Sequence, residues 1–196
     1  TSAESVRKNF ELAKKIHPNG PFVNSEFYPG WLELWNQKKP TFPTPDEIVS
    51  TAKAIWEYGA SINFYMIHGG TNFGFWNGAE SNAPVITSYD YAAPIGEAGE
   101  LIPSYFAIRA WIKSLGDWNT APLSPPDQLP ARSYPSAMMR HSGSLFSTMA
   151  RKQCTQSTQP LTFEQLGQQS GYVLYYTTLK KGGNNLTIPR LKDFGI

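Results

Sequence analysis

Helix-period and strand-like segments alternate through the first 115 residues, and this alternation leaves few folds open. Val6, Phe10, Ala13 and Ile16 recur at helical spacing over residues 1–16, and His17-Pro18-Asn19-Gly20-Pro21 stops that helix. Residues 22–28 then read as a strand. Thr44-Pro45-Asp46-Glu47 predicts a helix start, with Thr as N-cap, Pro at the first helical position and Glu completing a capping box. Ile48, Ala52, Ile55 and Trp56 give this helix an apolar face, and Gly59 suits the left-handed residue beyond its end. A second strand is expected over 61–67. A Gly/Asn-rich loop covers 68–99, and a third helix over 103–115 carries Ile108, Trp111, Ile112 and Leu115 on one face with Gly116 beyond. A helix between two strands implies that the strands run parallel. The strand-to-helix loops are long and aromatic while the helix-to-strand turns are short, which is the asymmetry of a β/α barrel whose site-forming loops follow its strands.

The fold class expected is therefore α/β, with residues 1–116 as about two of the eight units of a (β/α)8 TIM barrel. A complete barrel takes roughly 200 residues or more, so the expectation is a fragment, a truncated product or a chain that borrows the remaining barrel. Five prolines between Pro122 and Pro135 mark residues 117–136 as a linker. Residues 137–196 read as the start of an all-β domain, incomplete, with a strand at 172–179 and a turn at 181–184 leading to Leu186-Thr187-Ile188.

Charged residues make up 16% of the chain against a usual share of about a quarter, while aromatics reach 14%. The formal charge of +2 is spread without a basic stripe, which argues against nucleic acid. A charge-poor, aromatic-rich surface suits a neutral polar ligand with flat apolar faces, such as a sugar. No apolar run is long enough to span a membrane, and no signal peptide is visible. Cys154 is the sole cysteine, so an internal disulfide is excluded, and it reads as an inert thiol. His17, His68 and His141 are scattered, which argues against a metal site. Gly69-Gly70-Thr71-Asn72 lacks the lysine and spacing of a phosphate loop. Asn185-Leu186-Thr187 is a glycosylation sequon.

The stretch VNSEFYPGWL places Glu26 inside an aromatic run, on a strand expected to be at least partly buried. An unpaired carboxylate there costs several kcal/mol in effective terms, so Glu26 either has a structural partner or does chemistry. Alternate strand residues share a face, which groups Asn24, Glu26 and Tyr28 on one strand and Asn63, Tyr65 and Ile67 on the other. If the strands are neighbours, a carboxylate, two amides and two phenols converge, with Trp31 offering a face for a sugar ring. Glu33 reads as a solvated residue, His68 as a structural hydrogen-bonder, and Trp56 and Trp111 as core.

Three long motifs carry a resemblance. They are Asn24-Ser25-Glu26-Phe27-Tyr28-Pro29-Gly30-Trp31, then Asn63 through Gly74, then Thr87 through Pro94 followed by Glu97-Ala98-Gly99. In this order they resemble β-galactosidases of glycoside hydrolase family 35, most closely the animal lysosomal group. The resemblance implies a retaining exo-β-galactosidase that releases terminal β-D-galactose from glycans or glycolipids, without a cofactor. It implies that residues 1–116 are the C-terminal portion of the TIM barrel, about strands seven and eight with their helices, with Glu26 as nucleophile at the end of strand seven and Tyr28, Trp31, Tyr65 and Tyr91 as galactose-pocket residues. A lysosomal or secreted location follows, and a homo-oligomer of the full-length parent is left open. The family's acid/base lies in an Asn-Glu pair that this sequence lacks. A non-catalytic galactoside-binding product and an inactive fragment therefore stand as alternatives.

Overall fold

A computed structural model describes residues 3–38, 40–80, 83–116, 119–120, 122–149, 154–189, 191–192 and 195. Its elements run α1 (Ala3–Ile16), β1 (Val23–Phe27), α2 (Pro45–Glu57), β2 (Ser61–Phe64), α3 (Pro103–Ser114) and α4 (Leu145–Met149). The chain forms two compact units, one within Thr1–Leu129 and Arg190–Ile196, the other Pro130–Pro189. The division falls inside the proline-rich segment.

In the first unit β1 and β2 pair in parallel, with Val23 opposite Ser61, Asn24 opposite Ile62 and Phe27 opposite Phe64, and an irregularity between Asn24 and Phe27. Asn63 Nδ2 reinforces the pairing by donating to the Ser25 carbonyl at 2.9 Å. The helix α2 touches both α1 and α3 and also β2. One face of the sheet is thereby covered: Phe27 is buried with Val6, Ile48, Ala52, Ile55, Ala60 and Ile108, and Ile62, Phe64 and Trp111 pack against this cluster. Fully burying a side chain such as Ile55 stabilises by about 1.5–3 kcal/mol, so this cluster is the main reason the strands stay on the helices. The other sheet face, which carries Glu26, Asn63 and Tyr65, is exposed.

The helix ends follow from the sequence. Thr44 accepts from the Glu47 amide, and Glu47 reaches back to the Thr44 amide at 2.8 Å, the expected capping box. Gly59 (φ 84°) and Gly116 (φ 70°) take the left-handed conformation just past α2 and α3, where a Cβ would be penalised. Trp56 departs from expectation, since it is 43% exposed. The buried stripe of α2 runs through Ile48, Thr51, Ala52 and Ile55, and Trp56 lies at its margin. The second strand ends at Phe64 rather than continuing to Ile67, because the chain turns at Tyr65 and Met66.

In the second unit α4 is short. The strand expected at 172–179 is not formed, nor is any strand among the described residues of 137–189. A strand gains stability from ladder partners and a covered face, and most of 172–179 is exposed. Local bonds organise this unit instead. Thr162 and Gln165 cap each other's amides, and the Tyr175 hydroxyl donates to the Leu161 carbonyl at 2.5 Å. Two residues of the expected linker belong to the first unit's bonding, since Arg109 donates to the Pro122 and Leu123 carbonyls.

Candidate active site

Glu26 is the penultimate residue of β1, at the strand's C-terminal end. It is exposed rather than partly buried, because the helices cover only the opposite sheet face. Its carboxylate accepts a hydrogen bond from the Tyr28 hydroxyl. That bond, with a smaller contribution from desolvation, pushes the Tyr28 phenol above its ordinary value. Tyr28 therefore remains a neutral donor at physiological pH.

An aromatic wall extends from Tyr28. Its ring lies 5.0 Å from Trp31 and 6.2 Å from Tyr65, both near-perpendicular. Tyr91 closes the wall at 5.8 Å from Trp31 and 6.4 Å from Tyr65. Edge-to-face pairs at such separations are favourable by about 0.5–1.5 kcal/mol beyond area burial. Tyr91 is 3% exposed while Trp31 is 46% exposed, so Tyr91 is the wall's fixed end and Trp31 its open one. Burial, then the neighbouring Tyr89, drives the Tyr91 phenol far above its ordinary value. Thus the five residues singled out from sequence, Glu26, Tyr28, Trp31, Tyr65 and Tyr91, are brought together, each in contact with at least one other.

Tyr89 was not among them. Its ring is 5.5 Å from Tyr91, and desolvation raises its phenol. The Tyr-Asp-Tyr spacing, two residues apart, was the signal available. Asn63 was expected in the cluster but bonds the Ser25 carbonyl. Asn24 Oδ1 is buried without a hydrogen-bond partner. Glu33 is half-buried rather than solvated, and its carbonyl accepts from the Ile86 amide at 3.2 Å. His68 is structural as expected, its Nε2 lying 3.4 Å from the Glu97 carbonyl oxygen. Asn185 and Cys154 are exposed in the second unit, Asn185 accessible as a sequon requires.

The loops that build this surface interlock. The segment after β1 pairs with 84–86 through Leu34 and Val85, and Trp35 donates to the Pro84 carbonyl at 2.9 Å. The segment after β2 pairs with the 87–95 region through Thr71 with Ser88 and His68 with Ile95. Two glycines permit the close approach. A Cβ at Gly30 would lie 1.8 Å from the Tyr91 carbonyl oxygen, and one at Gly69 would lie 1.8 Å from that of Tyr89.

A carboxylate bonded to a phenol thus stands beside aromatic rings in edge-to-face and tilted contact at the C-terminal end of parallel strands, an acceptor next to flat apolar faces. Glycoside hydrolases built on β/α barrels carry catalytic carboxyl groups, in pairs, at this end of their strands. The chain belongs to glycosyl hydrolases family 35, which its residues 1–115 match. It is 41% identical over 184 residues to a mouse (Mus musculus) protein named beta-galactosidase-1-like protein, covering 90% of this chain and 28% of that relative. It is 40% identical to the beta-galactosidase of Macaca fascicularis and 38% identical to that of Homo sapiens. These cover 93% and 94% of this chain and 27% of each relative. The chain thus spans little more than a quarter of the length of the curated relatives it matches. Among the described residues no helix is long and apolar enough to cross a membrane.

Proposed function

We propose that this chain supplies the nucleophile half of a retaining exo-β-galactosidase acting on terminal β-galactosides of glycans or glycolipids. Glu26 attacks the anomeric carbon of a galactose resting against Trp31 and the tyrosine wall. Tyr28 holds the carboxylate in line through its hydroxyl. A second carboxyl, placed about 5–5.5 Å from Glu26 in a retaining enzyme, protonates the departing glycosidic oxygen. It then deprotonates the water that hydrolyses the galactosyl ester, and Glu26 is regenerated. In this reading the second carboxyl comes from a part of the whole protein outside this sequence, which has no Asn-Glu dipeptide. Asp90, Glu97 and Glu100 line a separate hollow with Thr71 and Ser88.

The same reading makes β1 and β2 strands seven and eight of a TIM barrel completed by the rest of the protein. Residues 137–196 form the start of a β-domain once their strand partners are present. A lysosomal or secreted location, with a glycan at Asn185, belongs to it as well.

The observation that carries the proposal is the contact of Glu26 with Tyr28 at the edge of the Tyr28–Trp31–Tyr65–Tyr91 wall. Its test is covalent trapping in the full-length protein. A 2-fluoro-galactoside with a very good leaving group should esterify Glu26, identified by peptide mapping. Glu26→Gln should abolish labelling while Glu33→Gln keeps it. A label on another acid, or labelling that survives Glu26→Gln, would make Glu26 a structural carboxylate. Galactoside binding without any labelling would favour the non-catalytic product.

A further inference from the structure

The Tyr89–Ala92 turn delivers two rings to the wall yet belongs to neither strand. Tyr91 and Ala92 both adopt positive φ, 66° and 48°, a left-handed pair that non-glycine residues hold only when their surroundings over-determine it. The turn also lies on the backbones of two other loops, at Gly30 and Gly69. Something must hold it there against that unfavourable backbone geometry.

Glu97 occupies the position from which this is done. Its carboxylate accepts from the Thr71 hydroxyl, on the loop after β2, and from the Ser88 hydroxyl, at the entrance of the turn. Its own amide donates to Asp90 Oδ1 at 3.0 Å, inside the turn. Ser88 Oγ in turn accepts from the Asp90 amide at 3.3 Å. Backbone bonds run parallel to these, from Asn72 N to the Thr87 carbonyl at 2.8 Å and from Tyr89 N to the Gly70 carbonyl at 2.9 Å. One side chain therefore clasps the post-β2 loop, the entrance of the turn and, through the adjoining amide, its centre. Both hydroxyls donate to the carboxylate, and these bonds, that of Ser88 first and then that of Thr71, lower it from its ordinary value, so the clasp is charge-assisted at neutral pH.

We infer that Glu97 is a positioning residue for the galactose pocket: it fixes the Tyr89–Ala92 turn so that Tyr91 stands against Trp31 and Tyr65. This rests on the proposed galactosidase reading, and it assigns Glu97 no contact with substrate. An aromatic wall serves ground state and transition state alike, so its displacement weakens binding more than turnover. Misplacement on the order of 1 Å can cost up to 10²-fold.

The experiment uses the full-length protein and 4-nitrophenyl β-galactoside, with active enzyme counted by 2-fluoro-galactoside labelling. Glu97→Ala is expected to raise KM about 10-fold or more, with kcat per labelled site within about threefold. Glu97→Gln, which retains one acceptor oxygen, should recover part of the loss. In the Tyr91→Phe/Glu97→Ala double variant the two losses should fail to add, because both act through one ring. Glu57→Gln, on the exposed end of α2, serves as the neutral control. An unchanged KM with fewer labelled sites would make Glu97 a folding residue and overturn the inference, as would additive losses. If the parent protein neither takes the label nor hydrolyses 4-nitrophenyl β-galactoside, the galactosidase reading fails instead, and if Glu26→Gln leaves labelling and turnover intact, the assignment of Glu26 as nucleophile fails.

Discussion

Gly30→Ala tests the close approach of loops that builds the wall, and the structure sets its magnitude. The φ of Gly30 lies outside the left-handed region, so alanine meets no backbone objection there. The objection is space alone. The new Cβ would be 1.8 Å from the Tyr91 carbonyl oxygen, 2.9 Å from its carbon and 3.0 Å from Ala92 Cβ. Real Cβ contacts essentially never fall below 3.0 Å, so one backbone must retreat by about 1.2 Å. No flexible side chain can give way, because the nearest atoms are backbone. Forced overpacking of this kind costs about 1–3 kcal/mol. The retreat also separates Tyr91 from Trp31, whose rings are 5.8 Å apart, and a shift of that size can cost up to about 10²-fold in catalytic efficiency. In the full-length protein, kcat/KM for a β-galactoside should fall about 10- to 100-fold, with a lowered thermal midpoint. Gly59→Ala is the contrast, since its Cβ meets nothing within 4 Å and its φ is 84°. It should cost stability of about 1–2 kcal/mol and leave kcat/KM unchanged. Parental kinetics in Gly30→Ala would refute the claim that this contact sets the position of Tyr91.

Thr44→Ala removes the N-cap of α2 and should cost about 0.5–2 kcal/mol, read as faster amide exchange in the first turn of α2. The Thr44 amide, then its hydroxyl, holds the Glu47 carboxyl below its ordinary value. With the folded value depressed, the Glu47 contribution is complete above about pH 4.3 and is lost as pH falls through the folded value. Protection of the Thr44 amide should follow that sign, and protection that grows on acidification would contradict it. Ile55→Ala, at the centre of the helix-covered core with 1% exposure, should destabilise by about 2–5 kcal/mol in chemical denaturation. Residues 1–196 expressed alone should aggregate or melt without a sharp transition, because among the described residues the sheet has two strands only and Phe73, Trp76 and Ile67 are exposed. A soluble monomer with one cooperative transition would count against this.

The sequence by itself determined the elements and the chemistry available to them. Local rules decide a capping box at Thr44–Glu47 and left-handed glycines at Gly59 and Gly116, and each appears where its residues stand; the strand–helix–strand order sets the parallel sense in which β1 and β2 meet. The motif around Glu26 was legible because an acid amid aromatics has few uses. Tertiary structure decided what depends on residues far apart in the chain. Trp56 and Ile55 are neighbours with similar apolar character, and only the packing of α1 and α3 against α2 buries one and leaves the other at the margin. The strand-like run 172–179 stays irregular here, since pairing depends on a partner and not on propensity alone. Tyr89 and Glu97 gained their places from the meeting of three loops. No periodicity encodes that meeting, because it is set by two glycines that let one backbone rest on another.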